Sequence, residues 1–424
     1  MKILFLAPRL PLPSDTGGKI RTMNLLRQIA KKNEVYLICF SFETTDNEYV
    51  RELARMNIVT TLIPMKEDSI MDKVMGMMLS QYPYSITKYY SQNMESVIVA
   101  LAQTNKFDLI HFDHLHMAHY RNCFNGFPSV LDEHNVEYLI LERCAKLENS
   151  PIRKVLFDNQ ARKMKIFEAR KINQFSCCLA VSSEDRELLS RLGQGKVKVE
   201  VIPNGVDTEF FKPLATGPLL PAPSAQDQVS GEEKRRARHE ERGTNEGSLV
   251  FTGSLDWWPN EDAVLYFCKA ILPLIWKKKK QIKFTVVGKA PTPAVQKLAS
   301  KDKRIIVTGR VDDVRPLMGH AKIFVVPIRV GGGTRLKILE AMAMSKAVVS
   351  TSMGAEGISY TEGKDIVIAD KAQDFADKVV GLLENPSQMA SMGEMGRRLV
   401  CQQYDWNIIG EKLLNIYEKT IQQR

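Results

Sequence analysis

The chain of 424 residues reads as two doubly wound α/β domains in tandem. Three observations predict this. Short apolar runs of strand length alternate with helical periodicity through the first half. The same alternation begins again near residue 249. Between the two lies a stretch, 214–247, whose composition supports no core. Strands that alternate with helices build a parallel sheet covered on both faces.

The elements follow in order. Residues 3–6 are a continuous apolar run, the pattern of a strand buried on both faces. Residues 8–18 interrupt it. Ile20, Met23, Leu25, Leu26 and Ile29 then recur at helical spacing. Further strands are expected at 35–40, 58–63, 109–112, 129–131, 177–181 and 199–202. In the second half they are expected at 249–251, 284–287, 305–307, 323–326, 347–349 and 366–368. Helices are expected near 261–276, 313–320, 335–344 and 376–384. The bridging stretch holds Pro218, Pro221, Pro223 and the mixed charged run 232–242, and no aromatic residue. It buries too little to offset its ordering entropy, so disorder is expected. Trp406, Ile409, Leu413, Leu414, Ile416 and Tyr417 form the stripe of a last helix that packs back on the first domain. The expected organisation is a first domain over 1–207, a flexible linker over 208–247, a second domain over 248–403 and a C-terminal helix over 404–424.

Hydrophobic residues make up 44% and charged residues 25%, as in a globular protein. The formal net charge of +10 suits an anionic partner. A phosphorylated small molecule and an anionic membrane surface both fit. Nucleic acid is not expected, because no helix-turn-helix spacing, zinc finger or RNP-like aromatic motif occurs. No run approaches the roughly twenty apolar residues of a spanning helix. The first apolar run is too short for a signal sequence. Seven cysteines without metal-ligand spacing indicate reduced thiols, and Cys177 and Cys178 read as core. A cytoplasmic protein, with peripheral contact at the inner face of the cell membrane, is the expectation.

Three segments carry candidate chemistry. Gly17 and Gly18 lie in the loop 13–19, after the first strand and before a helix. In an open α/β sheet that is the ligand crevice. Glycines admit a close backbone approach, and a helix N-terminus presents free N–H groups to anions. The second segment, 330–343, is more specific. A buried strand feeds Gly331, Gly332, Gly333 and Thr334, and the next helix carries Arg335 and Lys337 at its start. Cations there oppose the helix dipole, so an anion such as a pyrophosphate is expected. Glu340 follows, placed to accept hydrogen bonds from ribose hydroxyls. The third is Asp132-Glu133-His134-Asn135, four polar groups at a strand's carboxyl end, in which His134 is the candidate for a sugar hydroxyl or a phosphate. His111, Asp113, His114, His116 and His119 show no repeated ligand spacing, and no metal is expected. Asn204-Gly205 is a turn former at the way into the second half.

Together these segments resemble retaining GT-B glycosyltransferases of family 4, and among them sugar transferases of exopolysaccharide clusters. The resemblance rests on Gly17-Gly18, the His134 strand end, "IPNGVD" at 202–207, "FTGSL" at 251–255 and "KILEAMA" at 337–343. It implies two Rossmann-like domains facing a central cleft, with a nucleotide-sugar donor and a glycan or lipid-linked acceptor. It implies donor binding by Gly17, Gly18, Gly332, Gly333, Thr334 and Glu340, and catalytic roles for Arg335, Lys337 and His134. No cofactor or metal is implied. Two departures stand out. The first acid of the family's Glu-x7-Glu pattern is replaced by Gly332. The Arg and Lys usual after the "GSL" strand are absent from 256–260, so Arg335 and Lys337 are expected to supply that charge. The alternatives are a non-catalytic sugar-nucleotide-binding protein and a GT-B sugar-nucleotide epimerase.

On the acceptor side, 70–79 is rich in methionine and leads to Tyr82, Tyr84, Tyr89 and Tyr90. It fits either a core helix or a surface that meets a lipid-linked acceptor at an anionic membrane.

Overall fold

The structure, a computed structural model, describes residues 1–43, 46–148, 150–214, 248–331 and 335–423. The first sheet contains β1 (Lys2–Ala7), β2 (Glu34–Ser41), β3 (Ile58–Pro64), β4 (Leu109–Asp113), β5 (Ser129–Asp132), β6 (Cys177–Ala180) and β7 (Lys198–Val201), all parallel, in the order β3-β2-β1-β4-β5-β6-β7. The second contains β8 (Ser248–Thr252), β9 (Lys283–Val287), β10 (Ile305–Val307), β11 (Ile323–Val326), β12 (Ala347–Ser350) and β13 (Val367–Ile368), also parallel, in the order β10-β9-β8-β11-β12-β13. Every expected strand is present, its ends within one residue of the reading. In β1, for example, Ile3, Leu4, Phe5 and Leu6 are all fully buried, because helices cover both faces. All seven cysteines are free thiols, and Cys177 and Cys178 are buried.

Both sheets reverse strand order once, at β1/β4 and at β8/β11. Those switch points open crevices at the carboxyl ends of the strands. Everything built into the site below hangs on them.

The helix expected over 261–276 is interrupted. It runs Trp258–Tyr266, passes through a π-helical turn at Phe267–Ile271 and resumes at Leu272–Lys278. Pro273 accounts for this, since it offers no N–H and its ring crowds the carbonyl four residues back.

The chain crosses between the two halves twice, and the crossings touch. Val206 N–H donates to the Tyr404 carbonyl at 2.7 Å, and Val206 bridges Asp405 in parallel. Thr208 Oγ1 donates to Asp405 Oδ2 at 2.5 Å. A Cβ on Gly205 would lie 2.7 Å from the Trp406 ring, so this glycine serves close packing as well as the turn. The segment 208–214 departs from the flexible linker expected there. Thr208 is buried, the Phe210 carbonyl accepts from Arg315, and Phe211 packs on the second core. Phe211 supplies burial that the polar remainder lacks, and the exposed Phe210 ring is covered on one face by Arg315. The rest of the expected linker, 215–247, lies outside the described residues.

The last helix, Trp406–Gln422, leaves the second half and packs against the first-domain helix Gly17–Ala30. Trp406, Ile409, Leu413 and Tyr417 join the core beneath β1 and β2. The Tyr417 hydroxyl lies 2.7 Å from His111 Nδ1, both fully buried. Tyr417→Phe is expected to leave that ring nitrogen without its partner, at a cost of about 1–3 kcal/mol. A thermal melt unchanged from the parent would show that the contact stabilises nothing.

Candidate functional site

The first-domain wall is built from the loops after β1, β4 and β5. Gly17 opens the helix Gly17–Ala30, whose N-cap Thr16 makes no side-chain capping bond. The first N–H groups of that helix are therefore available to a ligand. Arg21, one turn in, fixes the helix. Its guanidinium grips Asp132 at 2.7 and 3.0 Å and also reaches the Pro203 carbonyl and Asn204. Arg21 and Asp132 are 1% and 0% exposed, so this is a buried pair. The guanidinium holds the Asp132 carboxyl well below the usual carboxylate range despite burial.

This corrects the reading of 132–135. Asp132 is turned inward to Arg21, and Glu133 is buried with neither carboxyl oxygen hydrogen-bonded among the described residues. Burial, with Glu168 and Glu137 nearby, pushes the Glu133 carboxyl well up from the usual carboxylate range. Asp132 and Glu133 are both closed off from solvent. His134 remains. Its Nε2 lies 2.9 Å from Asp113 Oδ1 and 3.5 Å from Asp132 Oδ2. Asp113 is shared with the Thr22 hydroxyl at 2.8 Å. A side chain on Gly18 would come within 3.8 Å of His134 Nδ1, so the glycine and the histidine face each other. Asp113, His114 and His134 bring donor atoms within 4.8 Å of one another, which is the spacing a cation needs. Asp113 is already committed to Thr22 and His134.

The second-domain wall comes from the loops after β8 and β11. Gly332, Gly333 and Thr334 lie outside the described residues. The helix begins at Leu336, one residue later than expected, and runs to Ala343, with Arg335 in extended conformation at its N-cap. Arg335 Nε and Nη2 are buried. Burial and the neighbouring Arg143 pull its pKa down to about 10, against the pull of Glu356. Lys337 Nζ lies 2.8 Å from Asn260 Oδ1 and 4.0 Å from the centre of the Phe251 ring. Burial and then Arg335 lower its pKa to about 7. Burial raises Glu340 to about 7, with Lys337 opposing. A Cβ on Gly253, in "FTGSL", would strike Lys337 Nζ at 2.8 Å, so only glycine leaves that ammonium its place.

The two walls meet. A side chain on Gly17 would touch Leu336 at 3.7 Å. Lys289 Nζ and Asp15 Oδ2 pair at 2.6 Å across the cleft. Arg143, on the first-domain helix Glu137–Leu147, holds Glu356 through two bonds of 2.7 Å and also donates to the Gly331 carbonyl. Sequence reasoning missed Arg143, Glu356, Asn260 and Arg21. Their partners lie 77 to 213 residues away, and no local spacing marks them. The expected residues form two groups: Gly17, Gly18 and His134 on one wall, Arg335, Lys337 and Glu340 on the other.

Comparison with known proteins follows this division. Residues 16–210 match the family model described as Glycosyltransferase Family 4, and residues 246–385 match the one described as Glycosyl transferases group 1. The chain belongs to glycosyltransferase family 4. A 44.6 kDa protein in the cps region of Klebsiella pneumoniae is 26% identical over 165 residues, 37% of this chain and 42% of that protein. A GDP-mannose-dependent monoacylated alpha-(1-6)-phosphatidylinositol monomannoside mannosyltransferase of Corynebacterium glutamicum is 25% identical over 158 residues, 35% of this chain and 42% of that one. The chain thus spans about two fifths of the length of these curated relatives. Among solved structures, Anabaena HepE in complex with UDP and glucose superposes with a TM-score of 0.66 at 16% identity, over 99% of both chains. Sucrose-phosphate synthase from Thermosynechococcus elongatus gives 0.73 at 15% identity over 100% of both. The fold is GT-B, two doubly wound domains facing a cleft.

Burial lowers the His134 pKa, but Asp113 and then Asp132 outweigh it and raise the value to about 9 from 6.5. A group stabilised in its charged form this way contributes fully below its unfolded pKa and loses the contribution as pH rises through the folded one. The stability gap between the wild type and His134→Gln is therefore expected to be widest below pH 6.5 and to close as pH passes about 9. Thermal melts over that range check it; a gap independent of pH would mean that His134 is not held as an imidazolium.

Proposed function

We propose that the protein is a retaining glycosyltransferase that moves a sugar from a nucleotide-sugar donor to a saccharide or lipid-linked acceptor, in exopolysaccharide or cell-envelope glycan synthesis. One observation carries this reading. Arg335 and Lys337 are crowded together at the start of a helix, where burial, their mutual repulsion and the helix dipole all disfavour them. A diphosphate would relieve all three, and the N-terminus of Gly17–Ala30 faces the same space. The Anabaena structure holds UDP and glucose, and the Corynebacterium relative uses GDP-mannose on a phosphatidylinositol mannoside, which supports a nucleotide-sugar donor and admits a lipid-linked acceptor.

In this reading Glu340 accepts from the ribose hydroxyls, and Gly17, Gly18, Gly332, Gly333 and Thr334 offer backbone N–H groups to the donor. Lys337 takes up a proton as the diphosphate binds, which restores its charge. Transfer is a front-face displacement. The bond from the anomeric carbon to the leaving phosphate oxygen breaks, and the acceptor oxygen bonds to the same face. The leaving phosphate takes the acceptor's proton. Arg335, Lys337 and two helix N-termini stabilise the departing charge, so the chemistry is assigned no metal. His134 donates to the sugar. Arg335→Ala is expected to lower turnover by about 100-fold or more, measured as nucleotide release with sugar transfer on incubation with UDP- and GDP-sugars. Unchanged kinetics in a folded variant would remove Arg335 from the site. Binding without turnover would favour a non-catalytic binding protein, and an isomerised donor an epimerase.

The acceptor side gains a feature. The helix Ile70–Leu79 is not a core helix: Met71, Met78 and Leu79 are 71%, 69% and 77% exposed. The start of the helix Pro151–Ile172 adds Ile152 at 76% and Val155 at 68%. Lys163 joins the two helices by donating to the Met77 and Ser80 carbonyls. Arg153 and Lys154 follow Ile152 directly, so exposed apolar and basic side chains alternate there in the way that suits an anionic bilayer. Among the described residues no helix is long and apolar enough to cross a membrane. Sedimentation with anionic vesicles is expected, and is expected to fall when Met78 and Ile152 are changed to Asp. No sedimentation at low salt would exclude the membrane.

A further inference from the structure

His114 is one of five histidines between residues 111 and 134, and neither the family motifs nor the reading above gives it a task. It stands at the turn after β4 with φ 71° and ψ 147°. That region is occupied almost only by glycine, and a residue with a Cβ is under strain there. The turn is nonetheless fixed. The His114 N–H donates to the Asp132 carbonyl at 3.0 Å, and its carbonyl accepts from Met117 N–H at 3.0 Å. The strained backbone sets the imidazole beside that of His134, ring centres 3.5 Å apart. Its Nε2 faces Gly18, where an added Cβ would lie 3.4 Å away. Its Nδ1 is buried without a hydrogen-bond partner among the described residues.

We infer that His114 is a second substrate-contacting histidine, and that its Nε2 hydrogen-bonds a hydroxyl of the sugar seated over Gly18, beside the group His134 holds. The inference rests on the proposed nucleotide-sugar site, since it places the sugar between the start of Gly17–Ala30 and the two rings. Three placements converge on it: a backbone conformation that glycine would adopt freely, a bare glycine opposite Nε2, and a partner ring in close, tilted contact. The electrostatics agree. Burial, followed by the charge of His134, pushes the His114 pKa well down, so the ring is neutral and retains an acceptor nitrogen. A neutral ring against a charged one avoids the repulsion that two imidazolium groups would suffer at this distance. The pair then offers the sugar an acceptor and a donor side by side.

Two variants separate this role from a structural one. His114→Phe keeps a flat ring against His134 and removes both nitrogens. His114→Gly removes the ring and suits the backbone, which keeps the test open should the Phe variant not fold. Calorimetry with UDP, UDP-glucose, GDP and GDP-mannose reads the outcome. The expected result is that each variant loses about tenfold in affinity for the sugar nucleotide that the wild type binds, and binds the bare nucleoside diphosphate as before. A tenfold change is the equivalent of one ordinary hydrogen bond. Equal losses for both ligands, or no loss for either, would overturn the assignment of His114 while leaving the nucleotide site in place. A wild type that binds none of the four ligands would overturn the functional reading itself, and the inference with it.

Discussion

The buried pair Arg21–Asp132 is the constraint on which the cleft depends. One guanidinium joins three parts of the chain: the helix that begins with Gly17, the end of β5 and the crossing at Pro203 and Asn204. Each of its contacts is polar and out of water, so removing one partner would strand a charge, at about 3–5 kcal/mol. The pair also decides what Asp132 does for His134. Because Arg21 keeps Asp132 ionised, a negative charge lies near the imidazole and adds to that of Asp113. The helix start, the charged histidine and the hinge are thus positioned by a single side chain.

The opposite wall works by a different physics. There, like charges are brought together out of water, with acids set close by. Arg335 depresses Lys337, and Arg143 depresses Arg335. The cost is met by the tertiary structure, through Asn260, Glu356 and the surface buried around them. Such an arrangement stores a preference for anions before any ligand arrives, which is how a preorganised site differs from a flexible basic patch.

The fold was legible because parallel strands buried on both faces appear as unbroken apolar runs, as in β1 and β11, and the more polar edge strands such as β7 were placed by their position in the alternation with helices. The two groups of site residues were legible where glycines and charges gather at strand ends, as at Gly17 and Arg335. Asp132 and Glu133 were misplaced for a plain reason. A strand end offers alternate residues to opposite sides, and sequence alone does not say that Arg21, more than a hundred positions earlier, will claim one of them. The pairs Arg143–Glu356 and Lys337–Asn260 were invisible for the same reason. The segment 208–214 was read with the polar stretch that follows it, although Thr208 and Phe211 belong to the packed side of that boundary.

The paired crossings at Val206 and Asp405 have a mechanical consequence. Two chain segments that run side by side and are bonded to each other define an axis, whereas a single linker would define only a point. Opening of the two halves is then confined to rotation about that line, with twist and slide resisted by the Val206–Tyr404 bond and by Gly205 seated on Trp406. Lys289 with Asp15 and Arg143 with Glu356 tie the two halves away from that line in sequence and in partners. Rotation about the line would part those ion pairs but none of the bonds of Arg21, whose partners all lie within the first half, so that half keeps its share of the site intact as the molecule gapes.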